Sequence, residues 1–278
     1  MVKKRSAGTG RGTEKSEPEL LAGGGLWGGN LRVFQSLPST NRWVLENQDV
    51  CRHGDVVWAL SQTSGRGRRD RSWISRPGKG LCLSLVLREL PERDILPLVG
   101  QATALAVAGL LEEVGLAPRI KWPNDIQVNG KKAAGILTES VHGRLVVIGT
   151  GLNVNQDAQD LEEDGLGEAA TSLRIELGRK LDLEKTRITL LAFWKRELEG
   201  LAGQETALLL KRWRSRDALA GQYVTVREGN RLFPGAYQGI DSRGRLRLLL
   251  EDGGTMAFWT GDVIQVRAGA PDGPDKKS

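Results

Sequence analysis

The sequence predicts an α+β fold: a mixed central sheet with flanking helices, followed by a small C-terminal β-barrel of SH3-like size. Two observations predict it. Between residues 31 and 155 strand-like apolar runs outnumber helical patterns and are joined by hairpin signals, which favours a mixed sheet over regular βαβ winding. Beyond Gly221 the texture changes to five short alternating runs in about fifty residues, separated by Gly, Asn and Asp turns. The 278 residues suit one large domain with a small companion.

The elements follow in order. Residues 1–29 are rich in Gly, Ser, Lys and Glu with almost no apolar periodicity, and read as a flexible leader. LRVFQS (31–36) and DVVWALS (55–61) read as strands, and between them Ser39 caps a helix running through Glu46, because its hydroxyl satisfies free backbone N–H groups. LCLSLVL (81–87) is a third strand. Residues 97–114 place Val107, Leu110, Leu111 and Val114 on one helical face. RIKW and DIQV lead to Asn129-Gly130, a hairpin signal, then to the strand KKAAGILTESV; a second hairpin through His142-Gly143-Arg144 enters LVVIGTGLNVN. Residues 157–167 are acidic and read as a surface loop, and helices are predicted over 183–199 and 204–216. QYVTVRE, LFPGAYQGI, RLRLLLE, TMAFW and DVIQVR supply the barrel strands. The predicted organisation is a leader (1–29), a main domain (30–219), the barrel (220–268) and a disordered tail (269–278).

No apolar run approaches the roughly 20 residues that span a bilayer, and the basic start has no apolar stretch behind it, so a secreted or membrane protein is disfavoured. Cys51 and Cys82 are too few for a disulfide framework, and with two histidines a zinc site is disfavoured too, which points to a reduced, cytoplasmic protein. The net charge of +6 would suit nucleic acid, a membrane surface or an anionic small molecule. Its location narrows the choice. Between Gln62 and Lys79 stand Arg66, Arg68, Arg69, Arg71, Arg76 and Lys79 against Asp70 alone, a local excess of five.

In GRGRRDR (65–71) glycines permit close backbone approach and exposed N–H groups, and arginines add planar cationic forks suited to phosphate or carboxylate oxygens. The segment suits a phosphorylated ligand; a solvated charge run or a nucleic-acid tether are the alternatives. It is neither a P-loop nor a dinucleotide fingerprint. In KWPND (121–125) Pro123 stiffens the chain so that Asn124 and Asp125 stand at a strand entrance, where they could orient a magnesium-bound phosphate or a nucleophile, or simply make a turn. Lys131 and Lys132 open an otherwise apolar strand, so one amine can project into a cavity or face solvent. Gly149 and Gly151 interrupt an apolar strand, marking a bulge or the close approach of a ligand.

Taken together and in this order, Ser39-Thr40-Asn41, Gln62 before GRGRRDR, Trp73, KWPND, GKKAAGIL (130–137), IGTGLNVN (148–155) and GID (239–241) resemble the biotin protein ligases, over residues 31 to 267. The resemblance implies the class II aminoacyl-tRNA synthetase/biotin ligase-like sheet and a two-step reaction. Biotin and ATP give biotinyl-5′-AMP and pyrophosphate, and biotin then passes to one lysine of a biotin carboxyl carrier protein such as that of acetyl-CoA carboxylase. It implies that Ser39, Thr40, Asn41, Gln62, Arg66, Gly67, Arg68, Lys132, Gly149 and Gly151 serve biotin. Arg68, Arg69, Arg71, Trp73, Asn124, Lys132 and Asn153 would serve ATP and the adenylate, with Trp73 over the adenine or packed on protein. Arg68, Lys132 and Asp125 would be catalytic, Lys132 by its charge and not as a covalent nucleophile. Asp125 would orient Mg²⁺ or assist the acceptor amine. Two departures matter. Asp70 stands where glycine is usual, and the leader is too short and polar for a winged helix-turn-helix, which implies a monofunctional ligase without specific DNA binding. Homodimer formation through an exposed sheet edge is left open. A lipoate or octanoate ligase, a nucleic-acid-binding module and a non-catalytic biotin or nucleotide sensor are the competing functions.

Overall fold

Alternating apolar strands assemble into an eight-stranded sheet whose two faces carry different layers. The computed structural model of the protein describes residues 17–69, 71–88, 96–141, 144–202 and 205–268. The main part comprises β1 (Glu19–Leu21), β2 (Leu31–Phe34), α1 (Thr40–Glu46), β3 (Val56–Ala59), β4 (Gly65–Arg66), β5 (Ser72–Trp73), β6 (Gly80–Arg88), α2 (Leu96–Glu113), β7 (Arg119–Lys121), β8 (Asp125–Val128), β9 (Lys131–Val141) and β10 (Leu145–Asn153). It continues with α3 (Ala158–Glu163), α4 (Leu173–Leu177), α5 (Leu183–Ala202) and α6 (Thr206–Arg214). The sheet order is β1-β2-β3-β6-β10-β9-β8-β7, with β2 and β3 parallel and the other pairs antiparallel. It is therefore the mixed sheet that the strand runs predict.

Side chains alternate across a strand, and β10 divides its residues accordingly. Val146 and Ile148 join the large core beneath α2 and α5, whereas Leu145 and Val147 join a smaller cluster with Phe34, Val44 and Val86 under α1. Between β8 and β9, Asn129 (φ 51°) and Gly130 (φ 79°) both adopt left-handed backbone, the turn an Asn-Gly step favours in a tight hairpin. Ser39 caps α1 from extended backbone, accepting from the Arg42 N–H. No helix among the described residues is long and apolar enough to cross a membrane.

Beyond α6, β11 (Gln222–Glu228), β12 (Arg231–Ile240), β13 (Leu246–Leu249), β14 (Thr255–Phe258) and β15 (Asp262–Ala268) form one five-stranded antiparallel sheet in the order β14-β13-β12-β11-β15. Its inner residues Val224, Ile240, Leu248 and Phe258 belong to the same hydrophobic core as α2 and α5.

Two expectations need correction. The leader does not stay free through residue 29: Glu19–Leu21 pair with β2, Leu26 is buried with its N–H on Gly54 O at 2.8 Å, and the Trp27 indole donates to Glu199 at 2.9 Å. Leu26 and Trp27 supply the apolar area that composition averaged over the segment conceals. The acidic stretch after Gln156 is not merely a loop either. Asp157 and Asp160 make a reciprocal capping box that starts α3, and Arg76 and Lys79 neutralise it. The first sixteen residues, Asp70, the His142-Gly143 step and the expected tail lie outside the described residues.

Candidate active site

The floor of the site is the α1-facing side of three central strands, where bulky side chains give way to small ones. Register places Cys82, Gly151 and Gly135 in one row with Asp125, and Ser84, Gly149 and Leu137 in the next. These rows continue the face that carries Leu145 and Val147, so two glycines hollow the sheet at one end of β10. The space is not left to a ligand alone. A Cβ on Gly149 would lie 2.5 Å from the Asn41 amide oxygen, and one on Gly151 would lie 2.2 Å from the Trp73 indole. The glycines admit protein side chains, Asn41 and Trp73, which then form part of the cavity wall.

The start of α1 supplies the polar wall. The Thr40 N–H and hydroxyl both donate to Gln62 Oε1, at 2.8 and 3.1 Å. This leaves the Thr40 oxygen as an acceptor and directs the Gln62 amide nitrogen elsewhere. Asn41 is fixed on three sides: its nitrogen donates to Leu137 O at 3.1 Å and Glu139 at 2.8 Å, and its oxygen accepts from the Ser84 hydroxyl at 2.6 Å. Its amide protons are thus engaged within the protein, so Asn41 anchors the helix more than it offers donors to a ligand.

The arginine segment is a hairpin. β4 pairs with β5 and the Gly67 N–H donates to Arg71 O at 2.7 Å, while Arg69 takes the left-handed backbone (φ 52°) at the tip. Each of its guanidiniums has a partner in the protein. Arg66 pairs with Glu139 at 3.0 Å, Arg68 donates to Thr260 and Gly261, and Arg69 and Arg71 pair with Asp262 at 2.9 and 2.8 Å. Arg227 of β11 joins the same carboxylate. Burial opposes ionisation of Asp262, but Arg71 and Arg69 outweigh it and hold the carboxyl below its ordinary range. Farther along, Arg76 and Lys79 grip Asp160, and Arg76 also holds Asp164, tying the segment to α3. The local excess of positive charge is therefore largely neutralised by folding.

Lys132 and Asp125 complete the cavity. Their side chains meet at 2.6 Å, and the ammonium stands 5.6 Å from the centre of the Trp73 ring. Asn124 lines the same cavity with its amide nitrogen on Ile136 O at 2.8 Å. Cys82 also lines it, but burial pushes its thiol up to about 11, which keeps it protonated and unreactive. Ser39, Gln62, Arg66, Gly67, Arg68 and Arg71 meet these groups around one space. Two predicted members sit otherwise. Asn153 does not line the cavity: its nitrogen donates to Thr171 O and its oxygen accepts from Gln156, so its amide braces the strand end. Arg69 points to the seam with the C-terminal sheet. Trp73 lines the cavity while packing against the sheet at Gly151 and Gly135.

The residues that sequence reasoning missed are Glu139, Ser84 and Asp262. Each sits at a position whose meaning depends on register or on contact with a distant strand. Among the described residues no cluster of three metal-ligating side chains forms, and Asp125, already paired with Lys132, does not by itself make a metal cage. Chemically, the cavity brings neutral polar groups at Thr40 and Gln62 together with the cations Arg66, Arg68, Arg71 and Lys132 and the carboxylates Asp125 and Asp262.

Residues 33–155 match the family model described as the Biotin/lipoate A/B protein ligase family. The bifunctional ligase/repressor BirA of Bacillus subtilis is 39% identical over 206 residues, which cover 72% of this chain but only 63% of that protein's length. The biotin--[acetyl-CoA-carboxylase] ligase of Mycobacterium tuberculosis is 33% identical over 268 residues, 91% of this chain and 96% of that one. Among solved structures, the biotin protein ligase from Aquifex aeolicus in complex with biotin and ATP matches with a TM-score of 0.75 at 25% identity, over 86% of this chain and 99% of that one.

Proposed function

Because the chain belongs to the biotin/lipoate A/B protein ligase family, we propose that it is a biotin protein ligase, which activates biotin with ATP and transfers it to a lysine of a biotin carboxyl carrier protein. The observation that carries this reading is the lining of the cavity, which brings neutral hydrogen-bonding groups, Thr40 and Gln62, into one space with Lys132, Arg68 and Arg71. A ureido ring offers N–H donors and a carbonyl acceptor, which Thr40 and Gln62 complement. A lipoyl or octanoyl chain would call for an apolar tunnel instead.

In the first step a biotin carboxylate oxygen bonds to the α-phosphorus of ATP and the bond to pyrophosphate breaks. Two anions must approach, so Lys132 and Arg68 offset their repulsion and stabilise the charge that grows on the phosphoryl oxygens. In the second step the acceptor amine attacks the acyl carbon, the C–O bond to AMP breaks, and an amide forms. The proton lost by the amine has an acceptor in Asp125, whose carboxylate adjoins Lys132 at 2.6 Å. Magnesium belongs to this reading as the companion of ATP, held through its phosphates. Trp73, on the second strand of the arginine hairpin, walls the cavity at its sheet side. Cytoplasm supplies ATP and keeps thiols such as Cys51 and Cys82 reduced, which suits this assignment.

The five-stranded C-terminal sheet reads as an SH3-like barrel whose part is to hold the hairpin through Asp262. The internal pairing of Arg66, Arg68, Arg69 and Arg71 supports a small-ligand site over a track for nucleic acid. The test is mass spectrometry of a carrier domain after incubation with this protein, biotin and Mg-ATP, with lipoate in a parallel reaction. A biotin-sized mass gain is expected; no gain on a competent carrier, or a gain with lipoate alone, removes the assignment.

A further inference from the structure

We infer that Glu139 is a positioning residue for the biotin end of the site, setting Asn41 and Arg66 at once; this rests on the ligase reading above. On β9, Glu139 lies opposite Val147, on the face it shares with Leu137 and Gly135, one row beyond Gly149. That row is otherwise apolar, with Val86 and Val147 in the cluster under α1. A half-buried carboxylate among valines is costly unless its oxygens are paired. Here each oxygen has a partner: Oε2 accepts from Asn41 at 2.8 Å and Oε1 meets Arg66 at 3.0 Å.

The two partners come from different parts of the chain, and both line the cavity. Asn41 is buried at the first turn of α1, next to Thr40, and its amide packs into the hollow over Gly149. With Ser84 on its oxygen and Leu137 O and Glu139 on its nitrogen, only one amide orientation satisfies all three bonds. Arg66 ends β4 and is nearly half exposed, so its position depends on the ion pair. Holding Arg66 over Glu139 sets the start of the hairpin whose next residues, Gly67 and Arg68, line the cavity. Neutralising Arg66 also keeps an uncompensated cation away from the uncharged ring and leaves Arg68 and Lys132 to meet the carboxylate and phosphate. Glu139 does not line the cavity itself, so it acts through these two residues.

The test compares Glu139→Ala and Glu139→Gln with the unaltered chain by steady-state pyrophosphate release and by calorimetric titration with biotin alone. Loss of a buried acceptor predicts a rise of about tenfold in both KM and Kd for biotin in Glu139→Ala, with kcat and the KM for ATP within about twofold. Glu139→Gln keeps an oxygen for Asn41 but no charge for Arg66, so its biotin Kd should fall between the two; because it is nearly isosteric, it keeps the test decisive if the alanine variant folds poorly. An unchanged biotin Kd in Glu139→Gln overturns the inference. Equal losses toward biotin and ATP, accompanied by a lower melting temperature, overturn it as well, because they mark a general packing role. An unaltered chain that releases no pyrophosphate with biotin and ATP refutes the ligase reading itself, and this inference falls with it.

Discussion

In the proposed reaction, Lys132 and Arg68 are the residues on which the chemistry turns. Both line the cavity, and Lys132 already contacts Asp125 at 2.6 Å. Lys132→Ala and Arg68→Ala should each slow biotin-dependent pyrophosphate release by about a hundredfold, the effect of losing one preorganised charge at a developing oxyanion. Unchanged release in both would remove their assigned roles. Gly151 is equally decisive for a steric reason. An added methyl would sit 2.2 Å from the Trp73 indole, so Gly151→Ala must push the ring off the sheet and into the ligand space. Biotin binding should weaken more than tenfold, with about 1–3 kcal/mol of stability lost to overpacking, measured by calorimetry and denaturant melts. The sequence marks Gly149 and Gly151 as places of close approach, but what approaches is a side chain from a distant part of the chain, Asn41 for the one and Trp73 for the other.

The arginine hairpin and the C-terminal sheet behave as one element, because Asp262 binds Arg69 and Arg71 of the one and Arg227 of the other. Asp262→Ala leaves three guanidiniums with no shared counterion, so the hairpin should loosen. Limited proteolysis with trypsin should cut within residues 66–76 several-fold faster in Asp262→Ala than in the unaltered chain, and biotin with ATP should slow the cut in both. Equal rates in the two proteins would show that Asp262 is not the latch. From their spacing with glycine, the hairpin's arginines read as an anion-binding segment. Their counterion was not legible, because one aspartate at a strand start, 193 positions from Arg69, has no local signature.

The whole molecule should lose stability on acidification through this same seam. The folded state holds the Asp262 carboxyl below its ordinary pKa. Its contribution is therefore complete above about pH 4, the usual aspartate value, and is lost as pH falls through the depressed folded value. Asp262→Asn should flatten the melting temperature below about pH 4 relative to the unaltered chain, while lowering it at neutral pH. Parallel acid profiles by calorimetry would assign acid sensitivity to other carboxylates.

Sequence by itself determined the mixed sheet, the capped first helix and the Asn-Gly hairpin, and it singled out many of the residues that the fold gathers around the cavity, because alternation, capping and glycine placement act over a few residues. It misread residues 17–29 and the start of α3, where a few apolar or capping side chains outweigh an average polar composition. Tertiary structure alone decided that Asn153 braces a strand end, that Asn41 is saturated with internal bonds, and that Glu139 and Asp262 neutralise the arginines. The physical reason is register: a carboxylate gains its partner only when a strand's phase and a hairpin's fold bring charges together across the sheet, and no window of the chain contains both.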